Sequence, residues 1–173
     1  SHYLLQAMYE LDLENFEFWH IGGVAEEMKF YVEKYKSDKI IYKGTQPQSE
    51  LYKYYSQGSV FVLPSIEEGL ALVQLQAMAC GLPLICSTNT GGEDLITKDG
   101  VEGFVIPIRN VDAIKEKILF LNSNPEKCAE MGRAAKRVVS EGFSWDDYGD
   151  RYHNFLLSVL NDKKHKVIVP ENN

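Results

Sequence analysis

The run Val60-Phe61-Val62-Leu63, stopped at once by Pro64-Ser65, constrains the fold more than any other stretch. Apolar residues without alternation describe a strand covered on both faces, the habit of parallel sheets. Pro83-Leu84-Ile85-Cys86 and Gly103-Phe104-Val105-Ile106, the latter ended by Pro107, repeat the pattern. Two β-rich stretches precede them, Phe16 to Ile21 before Gly22-Gly23 and Lys39 to Lys43 before Gly44. Between and after these strands the apolar spacing is helical. Tyr3, Leu4, Met8 and Leu11 keep it, a charged amphipathic stretch runs from Glu26 to Lys36, and Pro47 opens a helix with Leu51, Tyr54 and Tyr55 on one side. From Val111 the chain reads helical to Leu121, from Pro125 to Val139 and from Trp145 to Leu160. Strand and helix alternating across short loops predict an α/β domain, a parallel sheet with helices on both faces followed by C-terminal helices.

The bulk numbers set limits. A chain of 173 residues suffices for one domain with a real core. That domain is read as residues 1–161, with 162–173 a polar tail whose Val167-Ile168-Val169 reads either as a stray strand or as part of a docking tail. The net charge of −7 argues against nucleic acid as a partner, because phosphate backbones want a basic face. A small phosphorylated ligand needs only local positive potential. Cys80, Cys86 and Cys128 form no CxxC pair and read as reduced core thiols. No His, Cys and acid cluster has metal spacing, so no protein-held metal is expected. No apolar run approaches the ~18 residues of a membrane span. Nor is there a charged-then-apolar leader, so the expected location is the cytoplasm.

Small residues follow several strands: Gly22-Gly23, Gly44-Thr45, Ser65 and Ser87-Thr88. In an open α/β sheet, ligands bind beyond the carboxyl ends of the strands, so these loops should line one crevice. The segment Glu67-Glu68-Gly69-Leu70-Ala71-Leu72 then enters a helix expected from about Leu70 to Cys80. A helix start offers unpaired N–H groups and the positive dipole end, which suit phosphate. Two carboxylates at the same entrance suit hydroxyl groups. Gln76 lies eight residues beyond Glu68, roughly 12 Å along a helix axis, so the pair can hold two ends of an elongated ligand. Gln76 stands among apolar neighbours, and a buried amide should be bonded.

The stretch from Pro64-Ser65 through Glu68-Gly69-Leu70-Ala71-Leu72 to Leu75-Gln76-Ala77-Met78-Ala79-Cys80-Gly81 resembles the signature of family-4 retaining glycosyltransferases. Gly44 with Pro47, Glu50-Leu51 and Tyr55 fits the same pattern. So do Gly91-Gly92-Glu93-Asp94-Leu95-Ile96, Glu102-Gly103-Phe104-Val105-Ile106-Pro107 and Phe143-Ser144-Trp145. The likeness covers nearly the whole chain. It implies the Rossmann-like C-terminal half of a two-domain GT-B fold, which binds a nucleotide diphosphate sugar such as a UDP or GDP sugar. It implies hexosyl transfer with retention, in cell-envelope or polysaccharide biosynthesis. By resemblance, Glu68 contacts hydroxyls of the transferred sugar as the catalytic acid of the pattern. The N–H groups of Gly69, Leu70, Ala71 and Leu72 face the diphosphate, position 76 holds the ribose hydroxyls, and Gly44-Thr45 lies against the base. Gly22 and Gly23 join the donor site, with Glu67, Gly91, Gly92 and His20 as further candidates.

Two departures stand out. The pattern's second acid is Gln76, which weakens charge-assisted bonding, and Ala71 replaces a frequent glycine. The family's first strand, with its Gly-Arg and Lys loop that clamps the diphosphate, has no counterpart before Ser1-His2-Tyr3, nor does the acceptor-binding N-terminal domain. The resemblance therefore implies part of a longer enzyme, inactive alone and with a gap mid-sheet. Val167 to Val169 are the candidate for filling that gap. For the full enzyme the inner face of a membrane is the alternative location, and this chain shows no membrane contact. Plainer readings stand beside each residue. Glu68 can be a helix-capping acid, Gln76 a satisfied core amide, Gly91-Gly92 a turn with Glu93 and Asp94 as ordinary first-turn acids, and His20 structural. A non-catalytic binding or docking module of the same fold is the alternative to the enzyme.

Overall fold

The computed structural model describes residues 2–161. In chain order these form α1 (His2–Glu10), β1 (Phe18–Ile21), α2 (Lys29–Lys34), β2 (Ile40–Gly44), α3 (Leu51–Tyr55) and β3 (Phe61–Leu63). There follow α4 (Leu72–Ala79), β4 (Leu84–Ser87), β5 (Gly103–Ile106), α5 (Val111–Ser123), α6 (Pro125–Ser140) and α7 (Trp145–Asn161). Short 3-10 turns stand at Glu26–Met28, Gln48–Glu50 and Gly92–Asp94. Most boundaries expected from the sequence fall within a residue or two of these, but α2 and α3 start three and four residues later than expected, each behind a 3-10 turn.

All strand pairing is parallel. Phe18 pairs Ile40, Phe61 pairs Leu84, and Leu84 pairs Gly103. The strands form two sheets, β1-β2 and β3-β4-β5. Among the described residues no strand joins the two, where the sequence reading expected a gap mid-sheet. Val167 to Val169, the candidate for filling it, lie outside the described residues.

Apolar side chains leave the sheet on both faces, as successive strand residues must. On one face Ile85, Phe104 and Ile106 meet Leu4, Leu5 and Met8 of α1, Ile114 and Leu121 of α5, and Met131 of α6. The other face has a smaller cluster of Tyr55, Ala77 and Leu82, with Phe61 packed against it. Each fully buried Leu or Ile contributes about 1.5–3 kcal/mol relative to exposure. The larger cluster therefore carries most of the stability. Sequence-coded caps fix helix starts: Asn110 accepts from the Ala113 N–H at 2.9 Å at the head of α5.

The chain divides into two compact units, Ser1–Val139 and Ser140–Asn173. The five strands of the described residues all belong to the first. In the second, Ser144 and Asp147 form a reciprocal capping box at the head of α7. The Asp147 N–H reaches Ser144 Oγ at 3.1 Å, and the Ser144 N–H reaches Asp147 Oδ2 at 3.0 Å. Hydrogen bonds from the Ser144 hydroxyl and N–H hold the Asp147 carboxyl below its ordinary pKa.

Candidate active site

The loops after the strands make two clusters. The first joins the ends of β1 and β2. The Gly22 N–H donates to Gly44 O at 2.9 Å, and the Gly23 backbone approaches the Thr45 hydroxyl. Gly22 (φ 137°) and Gly44 (φ 67°) both adopt backbone angles that favour glycine. His20 lies inside β1, in register with Tyr42 of β2. Its Nδ1 is buried without a hydrogen-bond partner in the protein, and burial lowers its pKa.

The second cluster joins the ends of β3 and β4 and is far more closely knit. Glu67, Glu68, Gly69, Asn89, Gly91, Glu93 and Asp94 line a cleft of about 730 Å³. The Ser65 hydroxyl donates to Glu68 Oε1 at 3.1 Å, leaving the rest of that carboxylate in solvent. The Glu68 N–H donates to Asn89 O at 2.8 Å. The Ser87 hydroxyl donates to the Ser65 carbonyl, and that of Thr90 to Ser87 O at 2.8 Å. The Asn89 N–H donates to Glu93 Oε1 at 2.6 Å. Burial alone would raise the Glu93 pKa, but the backbone N–H groups of Glu93, Asn89, Thr90 and Gly91 outweigh it and lower the value.

Gly91 and Gly92 are glycines because space is lacking. A Cβ on Gly91 would stand 2.9 Å from Leu70 Cα, and one on Gly92 2.3 Å from Cys86 Sγ and 2.7 Å from Gln74 Oε1. The Glu68-Gly69-Leu70 backbone thus rests directly on the loop after β4. This contact also moves the helix start. α4 begins at Leu72, two residues later than the sequence suggested, with Ala71 extended at φ −70° and ψ 104°. The backbone from Glu68 to Leu70 is drawn onto the neighbouring loop instead of coiling. Gly69, Leu70 and Ala71 therefore form the approach to the helix, and the helical N–H groups start at Leu72.

The structure gathers Glu67, Glu68, Gly69 and Gly91 on one cleft, with Leu70 packed on Gly91. Gly22, Gly23, Gly44 and Thr45 come together in the other cluster. Gln76 sits on α4, half-buried, and its Oε1 is buried with no partner in the protein. A bonded amide was expected there. The surrounding side chains are apolar and carry no donor, so the expected partner is missing and the buried oxygen is left unsatisfied within the protein. Asn89 escaped the sequence reading, and Glu93 and Asp94, read there as ordinary first-turn acids, line the cleft; the small polar string Ser87-Thr88-Asn89-Thr90 after a buried strand marks a built loop. Among the described residues there is no group that could hold a metal ion and no helix long and apolar enough to cross a membrane.

The family model described as glycosyl transferases group 1 matches residues 1–138. An uncharacterized glycosyltransferase of Methanocaldococcus jannaschii is 32% identical over 143 residues, 83% of this chain and 40% of that protein. A GDP-mannose-dependent monoacylated alpha-(1-6)-phosphatidylinositol monomannoside mannosyltransferase of Corynebacterium glutamicum is 29% identical over 129 residues, 70% of this chain and 33% of that protein. The chain thus spans less than half the length of these relatives. Among solved structures, Anabaena HepE in complex with UDP-glucose superposes with a TM-score of 0.79 at 17% identity, over 91% of this chain and 45% of that one. A glycosyltransferase from Rickettsia africae superposes with a TM-score of 0.80 at 19% identity, over 93% of this chain and 45% of that one.

Proposed function

This chain belongs to the group 1 glycosyltransferases, and from that premise we propose that it is the donor-binding domain of a retaining sugar transferase. It takes a nucleotide diphosphate sugar and works with an N-terminal acceptor domain of a longer protein. The observation that carries the reading is the Glu68 carboxylate, steadied by Ser65 at the cleft where α4 begins. Glu68 accepts hydrogen bonds from hydroxyls of the transferred sugar. The N–H groups at the head of α4 receive the diphosphate and stabilise its growing charge as the sugar leaves. The buried, unpartnered Gln76 Oε1 accepts a ribose hydroxyl. The Gly22-Gly23 and Gly44-Thr45 loops lie against the base. A named UDP-glucose complex and a GDP-mannose-dependent relative support a nucleotide sugar as the donor class.

Glu67, Glu68, Glu93 and Asp94 line the cleft, with no basic residue among the lining. Cations that clamp a diphosphate must come from elsewhere in the full enzyme, so this chain alone transfers no sugar. The same acidic lining, with Gln76 in the second acid position, favours the second reading, a non-catalytic binding module of the same fold.

Calorimetric titration with UDP, GDP, ADP and their sugars tests the proposal. One nucleotide sugar should bind, and Glu68→Ala should weaken it at least tenfold, the scale of a hydrogen bond to a charged group. Gln76→Glu should tighten binding if the site is a working donor site and leave it unchanged in a module. Binding indifferent to Glu68→Ala would overturn the assignment of that residue.

A further inference from the structure

α4 carries a second glutamine, and its situation differs from that of Gln76. Gln74 is fully buried, at 0% exposure. Its Nε2 donates to the Thr90 carbonyl, 16 residues on, at 2.8 Å. Its Oε1 is buried without a partner and, with Cys86 Sγ, occupies the space where Gly92 lacks a side chain. Burying an amide whose acceptor is unmet is unfavourable, and an apolar side chain of the same size avoids that cost. Stability alone therefore favours leucine or methionine at position 74. What the amide supplies is the tether to Thr90.

The tether leads to the proposed catalytic carboxylate. Thr90 is held by Gln74 through its carbonyl and holds Ser87 O through its hydroxyl at 2.8 Å. One residue back, the Asn89 carbonyl receives the Glu68 N–H at 2.8 Å. One residue on, Gly91 abuts Leu70. The loop after β4 is thus clamped between the body of α4 and the backbone that presents Glu68. We propose that Gln74 is a positioning residue of the donor site. By fixing residues 89–91 to α4, it holds Glu68 in register with the head of that helix and with Gln76. The sugar-binding consequence rests on the donor-site reading above. The positioning of Glu68 does not.

The substitution Gln74→Met in the full 173-residue chain removes the amide donor while keeping length, volume and helix propensity. Amide hydrogen exchange and titration with UDP-glucose and GDP-mannose are both read. The Glu68 amide should lose protection by about tenfold, as for loss of one buried hydrogen bond, while amides of α5 keep theirs. Affinity for whichever sugar binds should fall by a similar factor. Gln74→Glu supplies the rescue: buried, it donates through its protonated carboxyl, so Glu68 protection returns as the pH falls through the raised pKa of that carboxyl. A merely structural side chain would lower the melting temperature in both variants and leave the Glu68 amide as protected as α5 relative to wild type. That outcome overturns the proposal, as does unchanged protection in Gln74→Met. If wild type binds neither sugar, the donor reading fails, and exchange at Glu68 still decides the role of Gln74.

Discussion

The two loop clusters sit at equivalent places, beyond the carboxyl ends of parallel strands, yet they are built differently. Between Gly22-Gly23 and Gly44-Thr45 a single backbone hydrogen bond makes the join, and a Cβ on Gly22 or Gly44 would meet nothing within 4 Å. Between the β3 and β4 loops, backbone, hydroxyl and carboxylate bonds interlock, and Gly91 and Gly92 have no room for a methyl group. The lesson concerns placement. A pre-fixed frame suits the diphosphate and sugar contacts proposed for the second cluster, whereas the loop proposed to lie against the base needs no such frame.

Alanine scanning of the glycines should break the symmetry most visibly. Gly92→Ala drives a methyl group into Cys86 Sγ and the Gln74 amide, so a loss of about 1–3 kcal/mol is expected. Thermal unfolding should report it as a fall of several degrees, and an unchanged melting temperature would refute the packing account. Gly44→Ala, at φ 67° but in open space, should cost only about 1 kcal/mol of backbone strain. A cost as large as that of Gly92→Ala would show the open cluster to be as tightly framed as the other.

A smaller and more local effect follows from pH. The Glu93 carboxyl is held below its ordinary value, so its contribution to loop stability is fully present above the ordinary carboxylate range of about 4.3. It is lost as the pH falls through the depressed folded value. The Asn89 amide resonance should titrate with a midpoint below that range, and Glu93→Gln should abolish the movement. A midpoint at or above about 4.3 would mean that the backbone N–H groups do not outweigh burial. The Gly22-Gly44 side, with no such carboxylate bond, should show no matching titration.

The elements were largely legible because their signals are local. Uninterrupted apolar runs marked β3, β4 and β5, and helical apolar spacing marked α5, α6 and α7. The start of α4 was misplaced by two residues because its determinant is remote, namely Asn89 O taking the Glu68 N–H and Gly91 pressing on Leu70. Gln74 was passed over for a related reason. Along the helix the two glutamines look alike, the Oε1 of each lacks a protein partner, and only folding brings the Nε2 of Gln74 to the Thr90 carbonyl.

By itself, then, the sequence determined the α/β class and the strand and helix order, and it singled out Glu68, which the structure places on the cleft. Each depends on side-chain periodicity or on neighbours within a few residues. The tertiary structure alone decided that Gly91 and Gly92 answer to packing, that Glu93 turns its carboxylate onto backbone N–H groups, and that Gln74 ties the frame together. Those roles depend on contacts between segments whose spacing along the chain carries no trace of their proximity in space.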